Sequence, residues 1–221
     1  VLALQREIAR GIAGEIRIKL TPQDQARLSS THPINPATHE AYLKGLYWLN
    51  QAINTPQTKE EERLHKKSFE YFEQAIKFDP NYAPAYSALA GSYHFLASEG
   101  FPQFYPKAKE AALKALSLDD TLAGAHGALA YTIWRHEWDF AGAEREFNKA
   151  DELAPNSYNW GYAQFLGTLG RHDEAIGKIR LAQDLDPLTL PLKENVGWIY
   201  IDARQYDNAI AQFQSILELD P

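Results

Sequence analysis

A short stop segment recurs along the chain and constrains its fold more than any other feature. The segments are AIKFDP, ALSLDD, ADELAP, AQDLDP and ILELDP, which end at residues 80, 120, 155, 187 and 221. Successive ends are 40, 35, 32 and 34 residues apart. A helical sequence with a period in this range is typical of a solenoid of helix pairs, in which each unit buries its apolar face against the next.

The helix before each stop carries small residues at a fixed spacing. They form the pairs Ser68/Ala75, Ala108/Ala115, Ala143/Ala150 and Ala175/Ala182, whereas Ala209 is followed by the larger Ile216 in the last unit. Bulkier residues fall between them at Phe72, Phe147, Ile179 and Phe213. Spacings of 4, 3 and 7 residues place them on one helix face. The small residues are predicted to let a partner helix approach closely, and the large ones to fill the space between.

A second predicted helix lies upstream in each unit and supplies the partner. Its small residues are Gly45, Ala90, Ala130, Ala163 and Gly197, each followed three residues later by Trp48, Tyr93, Ile133, Leu166 or Tyr200. The stop proline has no amide proton and disfavours helix in the preceding residue. Each stop is therefore predicted to end one pair and turn the chain into the next.

This combination of positions resembles the tetratricopeptide repeat over residues 35–221. The resemblance implies an all-α, right-handed superhelical solenoid of about five helix-turn-helix units, with an extra N-terminal helix. Three units depart from the standard length, and of these the fourth is two residues short before its first helix. NTPQTKEEE in the first predicts a longer second helix that starts at the capping box Thr58–Glu61, and SEGFPQFYP lengthens the second unit.

Residues 1–34 are predicted to be a helix and linker that form the tail of an upstream domain. Apolar residues at 4, 8, 12 and 16 indicate an amphipathic helix. The helix and the LTPQDQARL that follows it look like the segment before repeat arrays in bacterial adenylate cyclases, winged-helix regulators and serine/threonine kinases. That resemblance implies a regulatory parent protein. Since position 1 is not methionine, we expect the chain to be part of a longer protein.

The composition excludes several functional classes. A net charge of −7 argues against nucleic-acid binding, and the lack of cysteine excludes disulfides and thiolate sites. No apolar run is long enough for a membrane span. There is no HExxH, phosphate loop or G-x-S-x-G, so we expect no catalytic, cofactor or metal site. The absence of cysteine favours the cytoplasm over the periplasm.

The resemblance implies instead a groove, lined by the first helices, that binds a protein or peptide. Carried over by register, the candidate groove residues are Tyr131, Trp134, Arg135, Trp160, Gln164 and Trp198. Two alternatives stay open: the tryptophans pack between neighbouring first helices, or the array associates with itself through its terminal helices to control an attached catalytic or DNA-binding domain. Tyr42, Leu46, Ser87 and Gly91 stand where carboxylate-clamping members carry lysine and asparagine, which disfavours that binding mode.

Overall fold

The computed structural model describes residues 35–53, 55, 59–155, 160–185 and 190–218. Within these ranges the chain forms ten α-helices and no strand. The helices are α1 (Pro36–Ile53), α2 (Lys59–Phe78), α3 (Ala83–Ser98), α4 (Tyr105–Leu118), α5 (Ala123–Thr132), α6 (Phe140–Leu153), α7 (Trp160–Thr168), α8 (His172–Leu185), α9 (Leu190–Asp202) and α10 (Tyr206–Leu217). The predicted all-α solenoid of about five helix pairs is confirmed. The predicted helix at 1–20 and the rest of segment 1–34 lie outside the described residues.

The two helices of a pair meet where a small residue on the first faces a large residue on the second. A Cβ atom at Gly45 of α1 would lie 2.5 Å from Cδ1 of Phe72 on α2. A Cβ atom at Gly197 of α9 would lie 2.5 Å from Cζ of Phe213 on α10. The first and last pairs therefore use the same fit between ring and glycine. In both, the absence of a side chain on the first helix makes room for the ring.

The predicted small positions on the second helices lie in the interior. Ser68, Ala108, Ala143 and Ala175 are all fully buried. Phe147 and Ile179 fill the space beside them and are equally inaccessible. The predicted burial of Ala143 and Ala175 is confirmed, and with it the register of the third and fourth units.

Successive pairs stack through their first helices. The first helices α1, α3, α5, α7 and α9 each contact the next one along the chain. The second helices α2, α4 and α8 also contact the first helix of the following unit. The first helices therefore form one continuous layer, and second helices bridge its neighbouring members.

Two of the predicted stops are visible as side-chain-capped turns. After α2 ends, Oδ1 of Asp79 accepts a hydrogen bond from the backbone N–H of Asn81 at 3.0 Å. After α4 ends, Oδ1 of Asp119 accepts one from the backbone N–H of Thr121 at 2.9 Å. An aspartate at this point offers the backbone an alternative to further helix. The second stop turns the chain in the same way as the first without any proline.

One irregularity was not predicted: a π-helical turn at Ile133–Glu137 continues α5. Ala130 and Ala143 are 13 residues apart, whereas the matching residues of the fourth and fifth units are 12 apart. The π turn absorbs this single extra residue, as such turns commonly do inside α-helices. It ends at Trp138, whose backbone is left-handed with φ 59°. Asp139 then caps α6 by accepting a hydrogen bond from Gly142 N–H at 2.8 Å.

Candidate ligand-binding groove

Side chains on three successive first helices contact one another in a row, and two of them are predicted groove residues. The ring of His94 on α3 lies 4.4 Å, centroid to centroid, from the ring of Tyr131 on α5. The hydroxyl of Tyr131 donates a hydrogen bond to Oε1 of Gln164 on α7 at 3.3 Å. The structure thus brings Tyr131 and Gln164 together, and it joins both to His94.

Tyr131 and Trp134 belong to the interior of this layer. Tyr131 is 5% exposed and Trp134 is 2% exposed. The Trp134 ring packs edge-to-face on Tyr131 at 5.4 Å and on Phe165 of α7 at 5.5 Å. Trp134 therefore packs between neighbouring first helices, which is the second of the two roles considered for it. Their assignment as ligand anchors stays a prediction.

Arg135 follows Trp134 on the π turn and is exposed. The carbon at the centre of its guanidinium lies 5.2 Å from the centroid of the Trp134 ring. This distance is within the range of a cation–π contact. The exposed guanidinium therefore lies against a buried aromatic ring.

Among the predicted aromatic residues whose side chains the structure describes, Trp198 is the exposed one, with 49% of its surface accessible. Its ring meets Phe213 of α10 edge-to-face at 5.8 Å, and its Nε1–H points to Oε1 of Glu194 at 3.5 Å. Glu194 and Asp202 lie one turn before and one turn after it on α9, and both are exposed. Trp160 begins α7, but its side chain lies outside the described part of the structure.

His94 and Tyr131, two members of this row, are uncharged near neutral pH. Burial raises the pKa of the Tyr131 hydroxyl. Burial also lowers the pKa of His94 to about 4. The charged groups that act on the Tyr131 hydroxyl are Arg135 and Glu99. The exposed carboxylates of Glu194 and Asp202 lie on α9, the next first helix after the one that carries Gln164.

The described residues show no arrangement that points to another kind of site. Within them no group of three His, Asp or Glu residues is placed to hold a metal ion. None of their helices is long and apolar enough to cross a membrane.

The π turn that carries Arg135 was not predicted from the sequence. The longer spacing from Ala130 to Ala143 is the signal that could have indicated it.

Comparison with known proteins supports the repeat. Residues 191–221 match a family model described as Tetratricopeptide repeat. Over 192 residues the chain is 28% identical to Superkiller protein 3 of Schizosaccharomyces pombe, covering 82% of this chain and 13% of that protein. Over 85 residues it is 31% identical to Small glutamine-rich tetratricopeptide repeat-containing protein 2 of Mycosarcoma maydis, covering 38% of this chain and 24% of that protein. The chain thus spans less than a quarter of the length of either relative.

Solved structures show the same architecture. A thermophilic TPR protein of Thermus thermophilus superposes with a TM-score of 0.62 at 18% identity, covering 80% of this chain and 92% of that one. PilW, a widely conserved type IV pilus biogenesis factor, superposes with a TM-score of 0.60 at 18% identity, covering 83% and 79%. The chain therefore has the fold of a tetratricopeptide-repeat solenoid.

Proposed function

We propose that the chain is a peptide- or protein-binding scaffold whose ligand lies along the predicted groove residues of α5, α7 and α9. Tetratricopeptide-repeat proteins bind peptides or proteins and are generally non-catalytic scaffolds. The observation that carries the proposal is the row His94–Tyr131–Gln164, which links three successive first helices. Because these contacts already hold the three helices in place, a ligand can bind without first ordering them, and less entropy is lost on association.

Within this proposal the predicted residues have two roles. Tyr131 and Trp134 are buried and pack between the first helices, so they support the surface that the ligand would contact. Arg135, Gln164 and Trp198 are accessible and can contact a ligand directly. The amide oxygen of Gln164 is engaged by Tyr131, which leaves its NH₂ group to donate to a backbone carbonyl of an extended peptide.

The test selects short random peptides from a displayed library with the whole chain and then measures affinity for the selected peptides. Arg135→Ala and Trp198→Ala should each weaken binding by about 2 kcal/mol if they are anchors, with little change in melting temperature. Trp138→Ala is the control, because Trp138 is also an exposed tryptophan but lies at the turn after the π segment. Unchanged affinity in both groove variants would contradict the proposal.

We also propose that the array works inside a larger bacterial regulatory or signalling protein. The support is the resemblance of residues 1–20 and the LTPQDQARL after them to the segment that leads into repeat arrays of bacterial cyclases, winged-helix regulators and kinases. Fusing the flanking coding sequence to the array and assaying the output of the attached domain, with and without a selected peptide, tests this. An output that does not respond to the peptide would contradict a regulatory role.

A second candidate function, control of oligomeric state, rests on α10. Tyr206, Ile210 and Leu217 are each more than half exposed and recur on this helix at spacings that keep them near one face. Exposed apolar residues in a row mark interaction surfaces more often than isolated ones do. In this alternative the array pairs with a second copy and so sets the spacing of attached catalytic or DNA-binding domains.

A further inference from the structure

One face of α9 combines an exposed aromatic ring with two carboxylates. Glu194, Trp198 and Asp202 occupy successive turns and are all exposed. The Trp198 ring does not hang free, because its contact with Phe213 of α10 at 5.8 Å fixes one side of it. Phe213 reaches that position because Gly197 has no side chain in its way. The indole is therefore held in place while about half of its surface remains accessible.

The two carboxylates are not neutralised by the cations that the structure describes. Neither Glu194 nor Asp202 takes part in an ion pair among the described residues. By contrast, Asp151 on α6 is paired with Lys178 on α8 at 2.6 Å. Within the described part of the chain, Glu194 accepts a long hydrogen bond from the Trp198 indole, at 3.5 Å.

Asp202 is also placed to reach beyond its own helix. Its Oδ2 lies 3.9 Å from the position that a Cβ atom on Gly167 of α7 would occupy. The carboxylate therefore approaches the neighbouring first helix at a residue that has no side chain. Gly167 is on the same helix as Gln164, so the Asp202 carboxylate lies next to a helix that carries a predicted groove residue.

We propose that this face of α9 receives a lysine or arginine side chain of the bound peptide. The inference rests on the proposed function, and it names the chemistry of the ligand at one end of the groove. An ammonium or guanidinium group would lie over the Trp198 ring, which attracts cations through its quadrupole. Glu194 and Asp202 would accept charge-assisted hydrogen bonds from it. An acidic ligand residue would instead meet two like charges, which disfavours binding.

The experiment compares short random peptides selected by the whole wild-type chain with those selected by the Glu194→Gln/Asp202→Asn double variant. We expect the wild-type pool to be enriched in lysine and arginine relative to the unselected library, and the double variant to lose that enrichment while still selecting peptides. A selected cationic peptide should bind the double variant at least about tenfold more weakly. Its affinity for the wild type should fall as salt is added.

Two controls protect this result. Glu152→Gln removes an exposed carboxylate from α6 and should leave the selection unchanged. Trp198→Phe keeps an aromatic ring against Phe213 but weakens the cation–π contact, so it should reduce affinity for the cationic peptide with the fold intact. Circular dichroism melting checks the fold of each variant.

The possible failures are distinguishable. The inference of a basic side chain is wrong if the wild-type chain selects neutral or acidic peptides, or if the double variant selects the same basic peptides as the wild type. In either case the proposed function as a peptide-binding groove is not contradicted. If the wild-type chain selects no peptide above the unselected library, the proposed groove function fails, and this inference fails with it.

Discussion

Trp138, Gly170 and Arg204 show that equivalent turns can be made by very different residues. Each follows the first helix of its unit, and their φ angles are 59°, 75° and 56°. A left-handed conformation favours glycine, since other residues bring Cβ close to the following carbonyl oxygen. The fourth unit has Gly170 at this position, which adopts the left-handed conformation without strain. Trp138 in the third unit and Arg204 in the fifth adopt it at a cost in conformational energy.

Arg204→Gly should therefore stabilise the protein by about 1 kcal/mol, because the Arg204 side chain is exposed and the substitution relieves the left-handed backbone. Gly170→Ala is the reciprocal control. A Cβ atom there has no neighbour within 4 Å, so any loss of stability reports backbone strain alone. Urea unfolding of both variants measures the two effects, and equal midpoints for Arg204→Gly and the wild type would contradict this account.

His65 on α2 is a buried titratable group without a hydrogen-bond partner. It is fully buried, neither ring nitrogen has a hydrogen-bond partner, and its ring stacks on Phe95 at 5.0 Å. Glu61 lies 4.0 Å away across one helical turn. Burial lowers the pKa of His65 from 6.5 to about 4, because the interior disfavours the imidazolium.

Stability should therefore decrease as pH falls from about 6.5 to 4, since in this window the unfolded chain binds a proton at His65 that the folded chain does not. The loss attributable to His65 is at most about 3 kcal/mol. His65→Leu should flatten this slope and raise stability, while His94, with a pKa of about 4, keeps part of it. Urea midpoints across this pH range measure the slope.

At the scale of the helix, the meeting point of the two helices in a pair depends on side-chain size. Ala175 is fully buried on α8, at the position where the fourth pair meets. Two residues later Gly177 has nothing within 4 Å of a Cβ atom. One helix therefore offers a closely packed site and an open site two residues apart.

Ala175→Leu should destabilise the protein by about 1–3 kcal/mol, because the added volume has no space between α7 and α8. The matched variant Gly177→Leu adds a larger group on the open side, and it should leave stability equal or slightly higher. Thermal melting of both variants tests the register. An Ala175→Leu protein that melts with the wild type would show that the interface is not where it is described.

At the scale of the whole molecule, the exposed apolar residues of α10 provide a test of the proposed self-association. Replacing Ile210 and Leu217 with glutamate should abolish self-association if their exposed side chains form an interface between copies. Light scattering after size-exclusion chromatography would then show a dimer for the wild type and a monomer for the variant. The control Glu152→Gln should not change the mass. A wild-type chain that is monomeric at high concentration would contradict the oligomerisation alternative.

The repeat made most of this architecture predictable from the sequence, because small residues recur at matching positions in successive units, with a bulky residue between them in four of the five. Gly45, Ala143 and Ala175 were placed correctly by spacing alone. The candidate groove was less accessible to this reasoning. Spacing assigns Trp134 and Trp198 to similar faces of their helices, but burial separates them, with 2% and 49% exposed. Exposure depends on the neighbouring helix, which the local pattern does not contain.

The Tyr131–Gln164 hydrogen bond spans 33 residues, about one repeat, and stacking joins each first helix to the next. Because each unit contacts only its neighbours, units under tension can unfold one after another from an end of the array. A peptide bound across α5, α7 and α9 would connect three successive units. When the two ends are pulled apart, the first two units should then unfold at a lower force than the three units that the peptide connects.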